Sequence, residues 1–216
     1  MLFDGKRNKI LTKVVAIIAI CAFLGFGLIA GGLAVSGGCG ANDPAQQAID
    51  QARAQVSTAT AQAQAARKTL KATPGNAQAI RELAAARADM SSAQSQLASA
   101  LAALNQSDPQ AVKAAEAAVG LAPDDLNAIQ SLATIALAQG QAQAPLTALA
   151  RYTTRHPNDA QAFLLWGQVA EQSGQIPQAI LAYQQFVSLA PDDTLAPDVR
   201  THLKDLAKQQ AKTRTG

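Results

Sequence analysis

Three prolines, Pro123, Pro157 and Pro191, stand 34 residues apart, and Gly140 and Gly174 keep the same interval. A fixed period of this length marks a chain built from repeated supersecondary units, each unable to bury its apolar face alone. The best-formed unit is Ala160–Asp193. An apolar helix (Phe163, Leu164, Trp166, Val169, Ala170) runs to Gly174, and a second (Ala179, Ile180, Tyr183, Phe186, Val187, Leu189) ends at Pro191-Asp192-Asp193. The unit before it, Leu126–Asp159, follows the same frame, with Pro145 opening its second helix near Ala144. Residues from Asp108-Pro109 to Asp125 fit as a second helix whose first helix is the end of a longer one, through Ser95, Ala98, Ser99 and Ala102.

Upstream, the period changes from 34 to seven. Asp43-Pro44 supplies a helix cap followed by a proline at the first helical position. Ile49, Ala52, Val56, Ala59, Ala63, Ala66 and Leu70 then alternate spacings of three and four, a heptad seam. Thr73-Pro74-Gly75-Asn76 breaks the helix, and Asn76 caps the next. Leu83, Met90, Leu97 and Leu104 follow at strict seven-residue spacing, with Ile80 and Leu101 beside them. Two such helices joined by a short break predict an antiparallel hairpin. Its alanines bring the axes close. Pro197-Asp198 begins a last helix (Val199, Leu203, Leu206, Ala207) with a Lys-rich end.

The N-terminus has a different character. Val14–Val35 is 22 residues without a charge, and about 20 apolar residues span a bilayer core as a helix. Lys6, Arg7, Lys9 and Lys13 precede it against Asp4, so the whole net charge of +3 sits in the first thirteen residues. By the positive-inside rule the N-terminus is cytoplasmic and the rest is exported. The expectation is a single-pass signal anchor in a cytoplasmic (inner) membrane, with residues 37–216 on the extracytoplasmic side. Two alternatives are cleavage near Ala34-Val35-Ser36 and lipidation of Cys39, since Ser36-Gly37-Gly38-Cys39 faintly matches a lipobox. Cys21 reads as a small apolar residue of the span. Gly27 and Gly31 would permit close helix contact in lipid.

The same charge distribution argues against nucleic acid, which needs a basic face on the folded domain. Both cysteines lie before residue 40, so no disulfide or zinc framework serves the rest. No phosphate-binding loop, dinucleotide fingerprint, metalloprotease motif or nucleophile elbow occurs. His156 and His202 read as surface histidines, and Asp124-Asp125 and Asp192-Asp193 as helix caps. No catalytic, cofactor or metal site is expected.

The repeat resembles the tetratricopeptide repeat (TPR) family on Phe163, Trp166, Gly167, Ala170, Ala179, Tyr183, Phe186 and Pro191. The preceding unit carries Ile129, Leu132, Ala133, Ala136, Pro145, Leu149, Tyr152 and Pro157 at the same places. Trp166 and Phe186 stand where the family has Leu and Ala, and Pro145 where it has Ala. The resemblance implies an α-solenoid whose concave face is lined by the first helix of each pair. Here that face holds Asn127, Gln130, Thr134, Leu137 and Ala138, then Gln161, Leu164, Gln168, Glu171 and Gln172: amide-rich, nearly uncharged, and without the basic clamp some members use for a peptide carboxylate. The expected architecture is all-α: a basic tail (1–13), a transmembrane helix (14–36), a linker (37–42), a long alanine-rich hairpin (43–107), a short TPR solenoid (108–193) and a capping helix with its tail (194–216). The expected function is a membrane-anchored, bacterial-type adaptor that binds a protein or peptide during envelope complex assembly, such as translocation or cytochrome c maturation. A homo-oligomeric spacer acting through the hairpin is the alternative.

Overall fold

The computed structural model describes residues 44–215. The expected membrane segment, its basic tail and Cys39 lie outside them. Among the described residues there are eight helices and no strand: α1 Pro44–Ala72, α2 Ala77–Leu104, α3 Pro109–Leu121, α4 Leu126–Ala138, α5 Gln143–Arg155, α6 Ala160–Gln172, α7 Ile176–Leu189 and α8 Ala196–Thr215. None of these is long and apolar enough to cross a membrane.

Aspartates and glycines punctuate the array as backbone physics requires. Asp125 Oδ1 accepts the N–H of Asn127 at 2.9 Å, Asp159 Oδ1 that of Gln161 at 3.0 Å, and Asp193 Oδ1 that of Leu195 at 2.8 Å. These three stand one period apart, and each satisfies a donor that a helix start leaves free. Gly140 and Gly174 have φ of +70° and +77°, which an L side chain resists. Each closes a Schellman motif: Gln141 N–H donates to Ala136 O and Gln175 N–H to Ala170 O, both at 2.8 Å. Pro145 is the third residue of α5, one place further in than the sequence suggests, where its missing N–H has no partner to lose.

The helices stack in order, each against the next, as antiparallel pairs. In addition α2 packs on α4, and α4 on α6, so the first helices of successive pairs share one face. This is a TPR-like, all-α solenoid. One core cluster joins α4 to α8 around Ile129, Leu149, Val169, Phe186 and Leu206. A second joins the base of the hairpin to the array through Ile49, Leu101, Val112, Leu132 and Ile135. Ser91 Oγ donates to Ala118 O at 3.0 Å and pins α2 to α3.

The hairpin seam differs in detail from the heptad reading. In α1 the expected residues are buried, with Val56 and Leu70 half-buried. In α2 the seven-spaced row Ala79, Ala86, Ala93 and Ala100 is buried, together with Ser91, Ala98 and Leu101. The Leu83, Met90 and Leu97 row is half-buried beside them, and Ile80 and Leu104 are 52% and 48% exposed. Alanine takes the line of closest approach because a larger residue there would push the axes apart.

Gly167 shows the same economy inside the repeats. A Cβ on it would stand 2.5 Å from two ring carbons of Tyr183, whose hydroxyl is fixed by Glu171. Gly120 in α3 has open space around it. Gly167→Ala is therefore expected to destabilise by about 1–3 kcal/mol through overpacking. Gly120→Ala is expected to be neutral or to stabilise by up to about 1 kcal/mol. Urea unfolding followed by circular dichroism measures both.

Candidate interaction surface

The face shared by α4 and α6 carries the groove residues expected from sequence, but not as a free row. Asn127, Gln130 and Thr134 are exposed, and Thr134 Oγ1 donates to its own helix at Gln130 O, 3.0 Å away. Gln161 is exposed, with its amide 3.5 Å from Asp193 Oδ2. Gln168 is half-buried. Leu164 is buried, 7% exposed, in the cluster that includes Leu206 of α8. It is a packing residue.

Glu171 has a second duty that the sequence hid. Its Oε2 accepts from Tyr183 Oη at 2.9 Å and pairs with His202 Nε2 at 2.8 Å. The Tyr183 and His202 rings meet edge to face, 5.7 Å between centroids. One carboxylate oxygen thus ties α6, α7 and α8 together, and His202 is an anchor rather than a surface histidine. Burial opposes the charge of Glu171, but the bonds from His202 and Tyr183 outweigh it, so its pKa lies below the usual value. The bond to Glu171 raises His202. Burial and the same carboxylate push Tyr183 far above the ordinary phenol range.

The paired aspartates divide their work in a similar way. Asp125 and Asp193 cap. Asp124 does not: it takes the Arg155 guanidinium at 2.6 Å and His156 Nε2 at 3.0 Å, while Arg155 also donates to Pro123 O at 2.7 Å. The bonds from His156 and Arg155 hold the Asp124 carboxyl below its usual range. These contacts join the turn after α3 to the end of α5. Gln139 does the same on the other edge, donating to Gln106 O and Asp108 O. Tyr152 Oη donates to Asp159 Oδ2 at 2.8 Å, and burial, then that contact, pushes the phenol up to about 12.

Two open concavities lie along the second helices. An open cleft of about 1070 Å³ runs between α3 and α5, with Glu116, Val119 and Gly120 on one wall and Thr147, Arg151 and Arg155 on the other. A second, of about 570 Å³, lies between α5 and α7 and reaches Trp166 and Gln178. Trp166 stacks on Phe163, 6.3 Å between centroids, yet its buried Nε1 has no hydrogen-bond partner. Sequence patterning assigns Trp166 to packing alone and does not mark Arg151, which lies on a second helix. Arg151 as a cation on the apolar-patterned α5 was the available signal. Among the described residues no group of three or more metal-ligating side chains is found.

No protein-family model and no curated protein matches the chain. Solved structures do. They include a crystal structure of MamA, 17% identical, covering 82% of this chain and 99% of that one at a TM-score of 0.39. A second is MamA 41-end from Desulfovibrio magneticus RS-1, 19% identical, covering 78% and 98% at a TM-score of 0.40.

The Glu171–His202 contact has a definite pH signature. The His202 contribution is complete below the ordinary 6.5 and fades as pH rises through its raised value. The Glu171 contribution is complete above the ordinary 4.5 and fades as pH falls through its lowered value. The contact is therefore strongest between these two limits. His202→Gln is expected to cost about 1–2 kcal/mol at about pH 5.5 and clearly less at about pH 8.5. Denaturant unfolding of both forms at the two pH values checks this.

Proposed function

We propose that the protein is a membrane-anchored adaptor that presents its TPR-like array to a protein or peptide partner on the extracytoplasmic side. The carrying observation is the open groove across α3, α5 and α7, on an array closed at one end by the hairpin and at the other by α8. The reading is of a binding protein, not an enzyme. The uncharged run at 14–35 behind a basic tail supports the anchor, with the orientation N-terminus inside. Envelope complex assembly is the setting such an anchored array suits.

A second reading is homo-oligomerisation through the hairpin, favoured by the half-buried Leu83, Met90 and Leu97 row and exposed Ile80. Crosslinking in native membranes with mass spectrometry of the captured species separates the two. Capture of other envelope proteins supports the adaptor. Capture of the chain alone removes it in favour of the oligomer. Protease accessibility in right-side-out vesicles tests orientation: residues 43–216 are expected to be cleaved, and their protection would reverse the topology. The intact mass of the mature protein distinguishes a retained anchor from cleavage near Ser36 or a lipid on Cys39.

A further inference from the structure

The two outer-face clefts share Gln143, Thr147, Arg151 and Gln175, so they form one groove wrapped over the outer side of α5. Its chemistry is graded along its length. At the α3 end it carries Glu116, together with Arg155, which is already committed to Asp124. At the α7 end it carries no carboxylate. Arg151 is the charged residue of that cleft, exposed and in no ion pair among the described residues. Trp166 lines the same cleft with its ring, its indole N–H being buried away from the cleft. Guanidinium nitrogens only donate. An exposed donor-only group outside any ion pair, flanked by Gln143, Gln175 and Gln178 and the Trp166 ring, suits a ligand rich in acceptors.

Size favours a peptide over a small anion. Crossing from α3 over α5 to α7 covers two interhelix spacings, roughly 20 Å. An extended chain of about six residues spans that distance. The glutamine amides can pair with the backbone of such a segment, as edge-strand partners do.

We propose that this outer groove, rather than the face shared by α4 and α6, binds an extended peptide segment, with an acidic side chain or C-terminal carboxylate of the segment on Arg151 beside Trp166. The assignment rests on the adaptor reading and specifies its partner. A guanidinium matches a carboxylate in two parallel hydrogen bonds, which a lysine cannot reproduce. Glu116 at the far end disfavours an acid there, so the segment carries its negative charge at one end.

The test uses the full-length chain in detergent micelles and a randomised hexapeptide phage library. Panning against the wild type is expected to enrich Asp and Glu. Panning against Arg151→Gln is expected to lose that enrichment, while the concave-face variant Gln130→Ala/Gln161→Ala keeps it. Trp166 is the single tryptophan of the chain, so an enriched peptide should shift the intrinsic emission on binding. Arg151→Gln should weaken that peptide about tenfold, the size of one lost charge-assisted contact, with partial recovery in Arg151→Lys. Absence of acidic enrichment, or equal affinity for wild type and Arg151→Gln, overturns the groove. So does loss of binding in the concave-face variant alone. If native membranes yield a captured partner whose capture Arg151→Gln leaves unchanged, the adaptor reading stands and the groove falls. If the acidic peptide binds through Arg151 but membranes capture only the chain itself, the groove stands and the adaptor reading falls.

Discussion

Alanine sets the distance between helices throughout the described array. Among the described residues more than half of the buried apolar ones are alanine, and many have no exposed surface at all. A small side chain at a helix crossing lets backbones approach and gain dispersion contacts along their length. It also removes little apolar area from water, of the order of 25 cal/mol per Å² of it. The core is therefore thin and spread over many crossings. Large residues such as Phe186, Ile129 and Leu149 are fully buried among the alanines. Gly167 carries the same logic further, since the ring of Tyr183 lies where its Cβ would be.

A core of this kind needs its ends fixed, and polar contacts do the fixing. Glu171 receives Tyr183 from one helix and His202 from another on a single oxygen. Asp124 receives Arg155 and His156 across one repeat boundary. Each joins elements about one period apart in sequence, so the register between repeats is held by side-chain pairs as well as by apolar packing. Glu171 also illustrates how a position that lines a binding face in the middle of an array becomes structural at its end. α8 stands where another first helix would stand, and it takes the carboxylate for itself.

The helices and their order were legible in the sequence because backbone needs are local. A positive-φ glycine at 140 and 174, an aspartate at 125, 159 and 193 and a proline in the first turn each answer one requirement within a few residues. The surface was less legible because it depends on crossings. Nothing within a turn of His202 announces Glu171, 31 residues away. Leu164 and Gln130 hold the same repeat position, yet one is buried and the other exposed. In α2 the seven-residue spacing holds, but the central line is the alanine row rather than the leucine row. Hydrophobicity ranks leucine first, while the steric limit on an antiparallel pair ranks alanine first.

The hairpin has one more consequence. α3 covers α2 only from about Ser91 onward, so the outer half of the hairpin, roughly 21 Å at 1.5 Å per residue, is held by an alanine seam and little else. Opening that half exposes few apolar atoms and disturbs no neighbouring helix. Opening the base, at Ile49, Leu101 and Val112, breaks into the common core. The chain therefore carries a gradient of local stability. The turn at Thr73–Asn76 sits at its shallow end, and amide exchange there can proceed through partial melting while the array stays closed.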